Sequence, residues 1–153
     1  MKALHAIDVE TQTHSGYPEP FRSRVLPREK RRLGDAFGLT AIGVNLTVLP
    51  AGVESSMRHW HDREDELVYV LDGELGLRTD AGEQVLTAGM CVGFKAGDAD
   101  AHQFVNRGDR PATYLEISSR DAADVCTYPD VDMAFGADAQ GNFRYEHKDG
   151  TPY

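Results

Sequence analysis

Residues 58–74, RHWHDREDELVYVLDGE, place several metal-binding side chains next to an apolar run. His59 and His61 stand one residue apart, and four acidic residues follow within the next five positions. Because side chains alternate along an extended strand, the two imidazoles point to one side while Trp60 points away. If that side is buried, the imidazoles need hydrogen-bond partners or a metal ion to offset their lost hydration. The stretch therefore suggests a metal site at the start of a buried strand.

A third histidine, His102, lies further along the chain in AHQFVNRG. Strand alternation assigns His102 to the same face as Phe104 and Asn106. Three histidines that meet one carboxylate form a mixed nitrogen and oxygen site, which suits Fe(II), Mn(II), Ni(II) or Zn(II). Calcium and magnesium prefer oxygen ligands and fit this set poorly. We therefore expect one divalent transition metal ion as the cofactor.

Three consecutive acidic residues, at positions 64–66, compete for the role of the carboxylate ligand. Alternation puts Glu66 on the same side as Val68 and Val70, which face an interior. Alternation therefore supports Glu66 as a candidate ligand, and Glu64 is the alternative.

Short strands separated by turn residues must position these side chains. Apolar residues alternate from Ile42 to Val48, and the run from Glu66 to Leu71 alternates again. Asp72-Gly73 then predicts a tight hairpin into the next strand, at 74–79. Further turn signals recur about every eight to ten residues. This spacing indicates an all-β barrel or sandwich.

The length of 153 residues and the hydrophobic content of 41% predict a single domain with one core. We place the barrel at residues 39–118. Residues 1–38 are expected to form an extended arm with short strands. Residues 119–153 are rich in Asp, Gly and Pro and are expected to form a tail over the barrel, with a short helical turn near 121–125.

The formal charge of −9, from 25 acidic and 16 basic residues, argues against nucleic acid or an anionic membrane as the main partner. The basic cluster at 28–32 is interpreted as a solvated loop or a protected sheet edge. No stretch is apolar enough for a secretory signal or a membrane span, so we expect a soluble, cytoplasmic protein. Cys91 and Cys126 lack metal-binding or redox spacing and are interpreted as reduced packing residues.

Two stretches of the chain resemble the two sequence motifs of the cupin superfamily. The first motif, G(x)5HxH(x)3-4E(x)6G, is matched by Gly52, His59, His61, Glu66 and Gly73. The second, G(x)5PxG(x)2H(x)3N, is matched by Gly89, Lys95, Gly97, His102 and Asn106. The resemblance implies a double-stranded β-helix, or jelly-roll, barrel with an N-terminal arm and a C-terminal tail. It also implies that His59, His61, Glu66 and His102 are the metal ligands, although some cupins use such histidines as acid and base groups without metal.

The chain departs from these motifs at three points. It has one extra residue between Gly52 and His59 and two extra residues between Gly97 and His102. Lys95 replaces the usual proline. Its ammonium group either extends into solvent or meets an anionic substrate at the mouth of the barrel.

Other residues near the motifs have simpler interpretations. Trp60 is expected to pack, Asn106 to orient a turn, and Phe94 and Phe104 to wall the cavity. Tyr69 alternates against Glu66 and is a poor catalytic candidate. His5, His14 and His147 are interpreted as surface residues.

The resemblance narrows the function to two classes. The leading hypothesis is a metal-dependent enzyme that acts on a small polar metabolite, as an oxygenase, isomerase or lyase. The alternative is a non-catalytic cupin that binds or senses a small molecule. Fold analogy does not select the reaction, and no catalytic residue is assigned. The resemblance also implies a homodimer in which the N-terminal arm pairs across the interface.

Overall fold

The computed structural model describes residues 2–138 and 140–153. Antiparallel strands dominate this part of the chain, as the turn spacing predicts. The strands are β1 (Glu29–Arg32), β2 (Ile42–Leu49), β3 (Trp60–His61), β4 (Glu66–Asp72), β5 (Glu74–Thr79), β6 (Gly82–Thr87), β7 (Cys91–Phe94), β8 (Gln103–Val105), β9 (Ala112–Ser119), β10 (Val125–Tyr128), β11 (Met133–Ala137) and β12 (Phe143–Glu146). The helices are short: a 3₁₀ turn at Ala6–Asp8, α1 (Arg22–Val25) and α2 (Leu33–Ala36). None of the helices in the described ranges has the length and apolar character required to cross a bilayer.

Two sheets face each other and enclose the main core. One has the strand order β1-β2-β9-β4-β7, and the other has the order β6-β5-β8. Apolar side chains from both sheets fill the space between them, and they include Leu49, Val68, Val70, Leu75, Leu77, Phe104 and Tyr114. The inner face of the five-stranded sheet is apolar at one end and polar at the other. The polar end, which carries Glu66, Glu116 and Ser118, is where the candidate site lies.

The prediction of a hairpin at Asp72-Gly73 is wrong, because β4 and β5 do not pair with each other. Strand β4 pairs with β7 and β9, whereas β5 pairs with β6 and β8, so the chain passes between sheets at this point. Gly73 has a φ of 81°. A Cβ at Gly73 would lie 2.8 Å from the Cα of Ala112. The dipeptide therefore makes a tight corner against β9, with the backbone freedom that glycine also gives to hairpins.

The C-terminal segment is more regular than its composition indicates. Strands β10, β11 and β12 form a four-stranded sheet with β3, the strand that contains Trp60 and His61. Residues 121–124, where a helical turn is expected, form a tight turn in which the Asp124 N–H donates to the Asp121 carbonyl. A second apolar cluster lies under this sheet and contains Tyr17, Val25, Met57, Cys126, Tyr128 and Met133. The C-terminal residues therefore help to hold the HxH strand in place.

The N-terminal segment supplies the edge strand of the larger sheet. Strand β1 pairs antiparallel with β2, and Lys30 stands opposite Thr47. Thr47 is fully buried on the inner face. Because paired residues in an antiparallel ladder share a face, Lys30 also points inward. The basic cluster is thus a sheet edge, one of the two interpretations from sequence, but part of it faces the barrel interior.

Candidate metal centre

Backbone pairing brings the three motif histidines together. His59 and His102 form an isolated antiparallel bridge, with N–H to carbonyl distances of 3.0 and 2.8 Å. His61 follows in β3 and pairs with Cys126 of β10. The ring centroid of His59 lies 4.7 Å from that of His102 and 5.1 Å from that of His61. The three imidazoles therefore converge on one region, as their spacing predicts.

Glu66 completes the cluster as the first residue of β4. Its Oε2 lies 3.1 Å from the Nε2 of His102. His59, Glu66 and His102 each offer a donor atom, and these atoms lie within 4.8 Å of one another. Such a set can hold a metal ion.

His61 belongs to two neighbouring groups of donor atoms. One joins it to His59 and Cys126, and the other joins it to Glu64 and Asp124. Burial raises the pKa of the Cys126 thiol, which keeps it protonated in the metal-free protein. The geometry thus places Glu66 with two histidines and leaves Glu64 beside the third.

Hydrogen bonds outside the cluster fix the orientation of two imidazoles. His59 Nδ1 donates to the Met57 carbonyl at 2.8 Å, and His61 Nδ1 donates to Asp124 Oδ2 at 2.7 Å. A carbonyl oxygen can only accept, so the proton of His59 is on Nδ1. In the neutral form of either ring, Nε2 then carries the lone pair. This arrangement, with a partner on the far nitrogen, is typical of metal-binding histidines.

The electrostatics of the cluster favour the protonation states that bind metals. Burial, together with the neighbouring charge of His102, lowers the pKa of His59 to about 3. Burial alone opposes ionisation of Glu66, but the hydrogen bond with His102 and the nearby imidazoles outweigh it and lower the pKa of Glu66 to about 2. Near neutral pH the cluster therefore contains a neutral His59 and an ionised Glu66.

His102 lies in the most apolar surroundings of the cluster. Its side chain is 2% exposed, and its ring stacks on Phe94 with centroids 3.6 Å apart. Its Nδ1 is buried and has no hydrogen-bond partner among the described residues. A buried imidazole with an unpartnered nitrogen is costly unless another interaction compensates. The nitrogen of His102 that faces Glu66 is Nε2, so a metal ion held by the cluster would bind Nε2 and leave Nδ1 without a partner among the described residues.

A cavity of about 250 Å³ opens beside the cluster. The candidate ligands His59, His61, Glu66 and His102 line it, together with Glu64 and Glu116. Arg28 and Lys30 form part of the same wall. Sequence interpretation missed these two cations, because their alternation in PREKRRLG shows only that they share a face and not which face is buried.

Asp124 is a further residue that the sequence does not reveal. It is 5% exposed, and besides His61 it accepts a hydrogen bond from the Arg63 N–H at 2.8 Å. Asp124 lies 63 positions after His61 and belongs to neither motif. The approach of β10 to β3 brings the two residues together, which no local pattern indicates.

The structure also places the other residues singled out from sequence, namely Lys95, Trp60 and Asn106. Lys95 is exposed and lines two further cavities, one of which is also lined by His61 and His102 and the other by Glu66. Trp60 is partly buried and shares one of them. Asn106 donates to the carbonyls of Leu49 and Arg110 and so orients a turn, as expected.

The aromatic residues agree with their sequence interpretations. Phe104 lies in the core and also lines the cavity, and Phe94 packs against this core. Tyr69 is 39% exposed on the outer face of the sheet, away from the cluster. Asp65, the middle residue of the acidic triplet, accepts a hydrogen bond from the Ala96 N–H at 2.8 Å.

The chain is similar to one protein family and to several solved structures. The family model described as "Cupin domain" matches residues 45–118. A sugar phosphate isomerase from a cupin superfamily, from Silicibacter pomeroyi, is 41% identical over 99% of this chain and 96% of its own, with a TM-score of 0.93. An Acidithiobacillus ferrooxidans protein, named provisionally as a sugar phosphate isomerase, is 31% identical over 82% of this chain and 80% of its own, with a TM-score of 0.73.

A more distant structure shares the fold alone. The polyketide cyclase RemF from Streptomyces resistomycificus is 21% identical over 79% of this chain and 80% of its own, with a TM-score of 0.65. None of the proteins with curated functions matches this chain. These similarities confirm the predicted double-stranded β-helix barrel.

Proposed function

This chain belongs to the cupin superfamily, and from that premise we propose that it is a metal-dependent isomerase of a small sugar phosphate. The observation that carries the proposal is the cluster of His59, Glu66 and His102 at the wall of a cavity that also contains carboxylates and cations. His61, oriented by Asp124, is the proposed fourth ligand. The sugar phosphate is suggested by the name of the Silicibacter pomeroyi relative.

The proposed ligands can hold one divalent transition metal ion. When bound, such an ion supplies Lewis-acid polarisation of a substrate oxygen. The imidazole nitrogens and the ionised Glu66 would supply the lone pairs, and burial of His102 against Phe94 limits the access of water. No protein nucleophile is required for an isomerisation.

Isomerisation of an aldose to a ketose through an enediol uses a base that takes the proton from C2 and returns it to C1, while the proton of the C2 hydroxyl passes to the oxygen on C1. Glu64 lines the cavity and is the candidate for this role. Burial raises the pKa of Glu64 despite the hydrogen bond that its Oε1 accepts from the Asp121 N–H. A raised pKa makes the carboxylate a stronger base at neutral pH. Glu116 is the other carboxylate of the cavity wall that is not a proposed ligand, and it is paired with Lys30.

The direct test of this function is turnover. The protein is loaded in turn with iron, manganese, nickel or zinc and incubated with a panel of aldose phosphates, and ketose formation is followed by NMR. We expect conversion that depends on the metal, that is lost in Glu66→Gln together with the metal, and that is lost in Glu64→Gln while the metal is retained.

The same experiment distinguishes the alternative function. Stoichiometric binding of one unaltered compound with every metal would contradict the isomerase and favour a cupin that only binds or senses its ligand. Loss of metal from Glu64→Gln, with retention in Glu66→Gln, would instead exchange the proposed roles of the two carboxylates.

A further inference from the structure

The cavity beside the metal cluster has a basic wall on the side of the N-terminal segment. Arg28 and Lys30 both line it, and neither belongs to a cupin motif. The Nζ of Lys30 lies 2.6 Å from Glu116 Oε2, and the two side chains are only 24% and 15% exposed. Arg28 donates from Nη1 to the Ser55 carbonyl. These contacts hold two cations at the cavity instead of in open solvent.

Both cations retain hydrogen-bonding capacity for a ligand. A guanidinium has five N–H donors, and the bond to Ser55 uses one of them. Arg28 forms no ion pair with any residue that the structure describes. The ammonium of Lys30 has three donors, of which Glu116 takes one. Further polar groups on the same wall are the hydroxyls of Ser15, Ser55 and Ser56 and the amide of Asn45.

We propose that Arg28 and Lys30 form an anion subsite that binds the phosphate group of the substrate. The oxygen-bearing end of the substrate then lies toward the histidine cluster in the same cavity. A phosphate fits this wall better than a carboxylate, because its three terminal oxygens can meet a guanidinium fork, an ammonium and hydroxyl donors together. The inference rests on the proposed function for the identity of the substrate, but the subsite itself is a property of this wall.

Glu116 adjusts the strength of this subsite. Its carboxylate is held by Lys30 and by the Thr47 hydroxyl, which donates to Oε2 at 3.2 Å. An anionic ligand at Lys30 competes with Glu116 for the ammonium and is repelled by its charge. Removing the charge of Glu116 therefore strengthens binding, whereas removing either cation weakens it. Opposite effects of substitutions at one wall are difficult to obtain from a change in folding alone.

The first experiment is calorimetric titration of zinc-loaded protein with inorganic phosphate at fixed ionic strength. Arg28→Met should raise the dissociation constant about tenfold or more, the loss expected for a charge-assisted hydrogen bond. Arg110→Met is the matched control, since Arg110 is exposed and pairs with Asp72 away from this cavity. Equal dissociation constants for wild type and Arg28→Met would overturn the proposal, because phosphate held directly by the zinc ion gives that result.

Lys30 requires a pair of variants, because Lys30→Met alone leaves the half-buried carboxylate of Glu116 without its partner. Glu116→Gln should lower the dissociation constant for phosphate several-fold. The double variant Lys30→Met/Glu116→Gln should have a higher dissociation constant for phosphate than Glu116→Gln. Lys95→Met removes an exposed lysine that does not line this cavity, and it should leave the dissociation constant for phosphate equal to that of the unsubstituted protein. Weakening by Lys95→Met with no effect of Lys30 would place the anion at Lys95 and overturn the proposal.

Turnover and phosphate binding separate this inference from the proposed function. Phosphate binding that depends on Arg28 supports the subsite even if no sugar phosphate is isomerised. Isomerisation that is unaffected in Arg28→Met and in the double variant supports the enzyme and overturns the subsite. Acetate, titrated at the same ionic strength, should bind more weakly than phosphate, and equal or tighter binding of acetate contradicts the assignment of phosphate.

Discussion

Each oriented imidazole of the candidate centre depends on a partner outside the HxH motif. His61 relies on the Asp124 carboxylate, and His59 relies on the Met57 carbonyl. The motif spacing is sufficient to predict which side chains converge, because alternation in extended backbone is a local property. It is insufficient to predict Asp124, Arg28 or Lys30, because strand pairing over long sequence distances brings these residues to the site.

Asp124→Asn should weaken metal binding about tenfold or more. An amide can still reach His61 Nδ1, but it lacks the charge that increases the basicity of the imidazole. Competition with a chromophoric chelator measures the affinity. Asp121→Asn is the control, since Asp121 is a nearby acidic residue whose side chain accepts a hydrogen bond from the Ala123 N–H. Equal affinities for wild type and Asp124→Asn would show that Asp124 does not support the metal site.

Strand β3 shows why the elements around the site are only partly predictable. It is two residues long and is held between the His59–His102 bridge and β10. The alternation of β2, by contrast, is visible over its eight residues, and the sequence locates it well. The three C-terminal strands have four or five residues each and lie among Asp, Gly and Pro, so no period can be recognised.

The tight corner at Gly73 leads to a prediction about the free energy of unfolding. Gly73→Ala should lower the free energy of unfolding by about 2 kcal/mol or more, because the new Cβ adds a close contact to an unfavourable φ. Chemical denaturation measures the change. Gly52→Ala is the control, since Gly52 has a φ of 79° and a Cβ at this position would meet no atom of the described residues within 4 Å. A cost for Gly73→Ala no larger than that for Gly52→Ala would show that the approach of β9 is not limiting.

The shifted pKa values of His59 and Glu66 make the stability of the whole molecule depend on pH. The pKa of His59 in the folded protein, about 3, lies below its ordinary value of 6.5, so the unfolded chain binds a proton first as pH falls. The pKa of Glu66, about 2, likewise lies below its ordinary value of 4.5. The shift of Glu66 stabilises the folded state at neutral pH, and the shift of His59 destabilises it in acid, so both make the folded state less stable as the pH falls from 6.5 toward 2.

Metal-free protein should therefore unfold at a lower urea concentration at about pH 4 than at about pH 7. His59→Gln should reduce this dependence on pH, because one of the groups responsible is removed. Urea titrations followed by circular dichroism, with chelator present, give the two midpoints. Identical midpoints in acid and at neutral pH for the unsubstituted protein would contradict the prediction.

The outer face of the five-stranded sheet bears on assembly. Leu67, Tyr69 and Leu71 of β4 are 41%, 39% and 44% exposed and point away from the barrel. A contiguous apolar face of this kind is typical of an interface, and we predict that a second copy of the chain covers it in a homodimer. Light scattering after size exclusion should give the dimer mass for the unsubstituted protein and a lower mass for Leu67→Glu. A monomer at all concentrations would contradict the prediction.

Elemental analysis of the purified protein tests the metal centre most directly. We predict about one divalent transition metal ion per chain and a clear loss of metal in His59→Ala, His61→Ala, His102→Ala and Glu66→Gln, with β-rich circular dichroism retained. His147→Ala is the control, because His147 pairs with Asp132 outside the cluster. Full metal occupancy in all four variants would contradict the assignment of these residues as ligands.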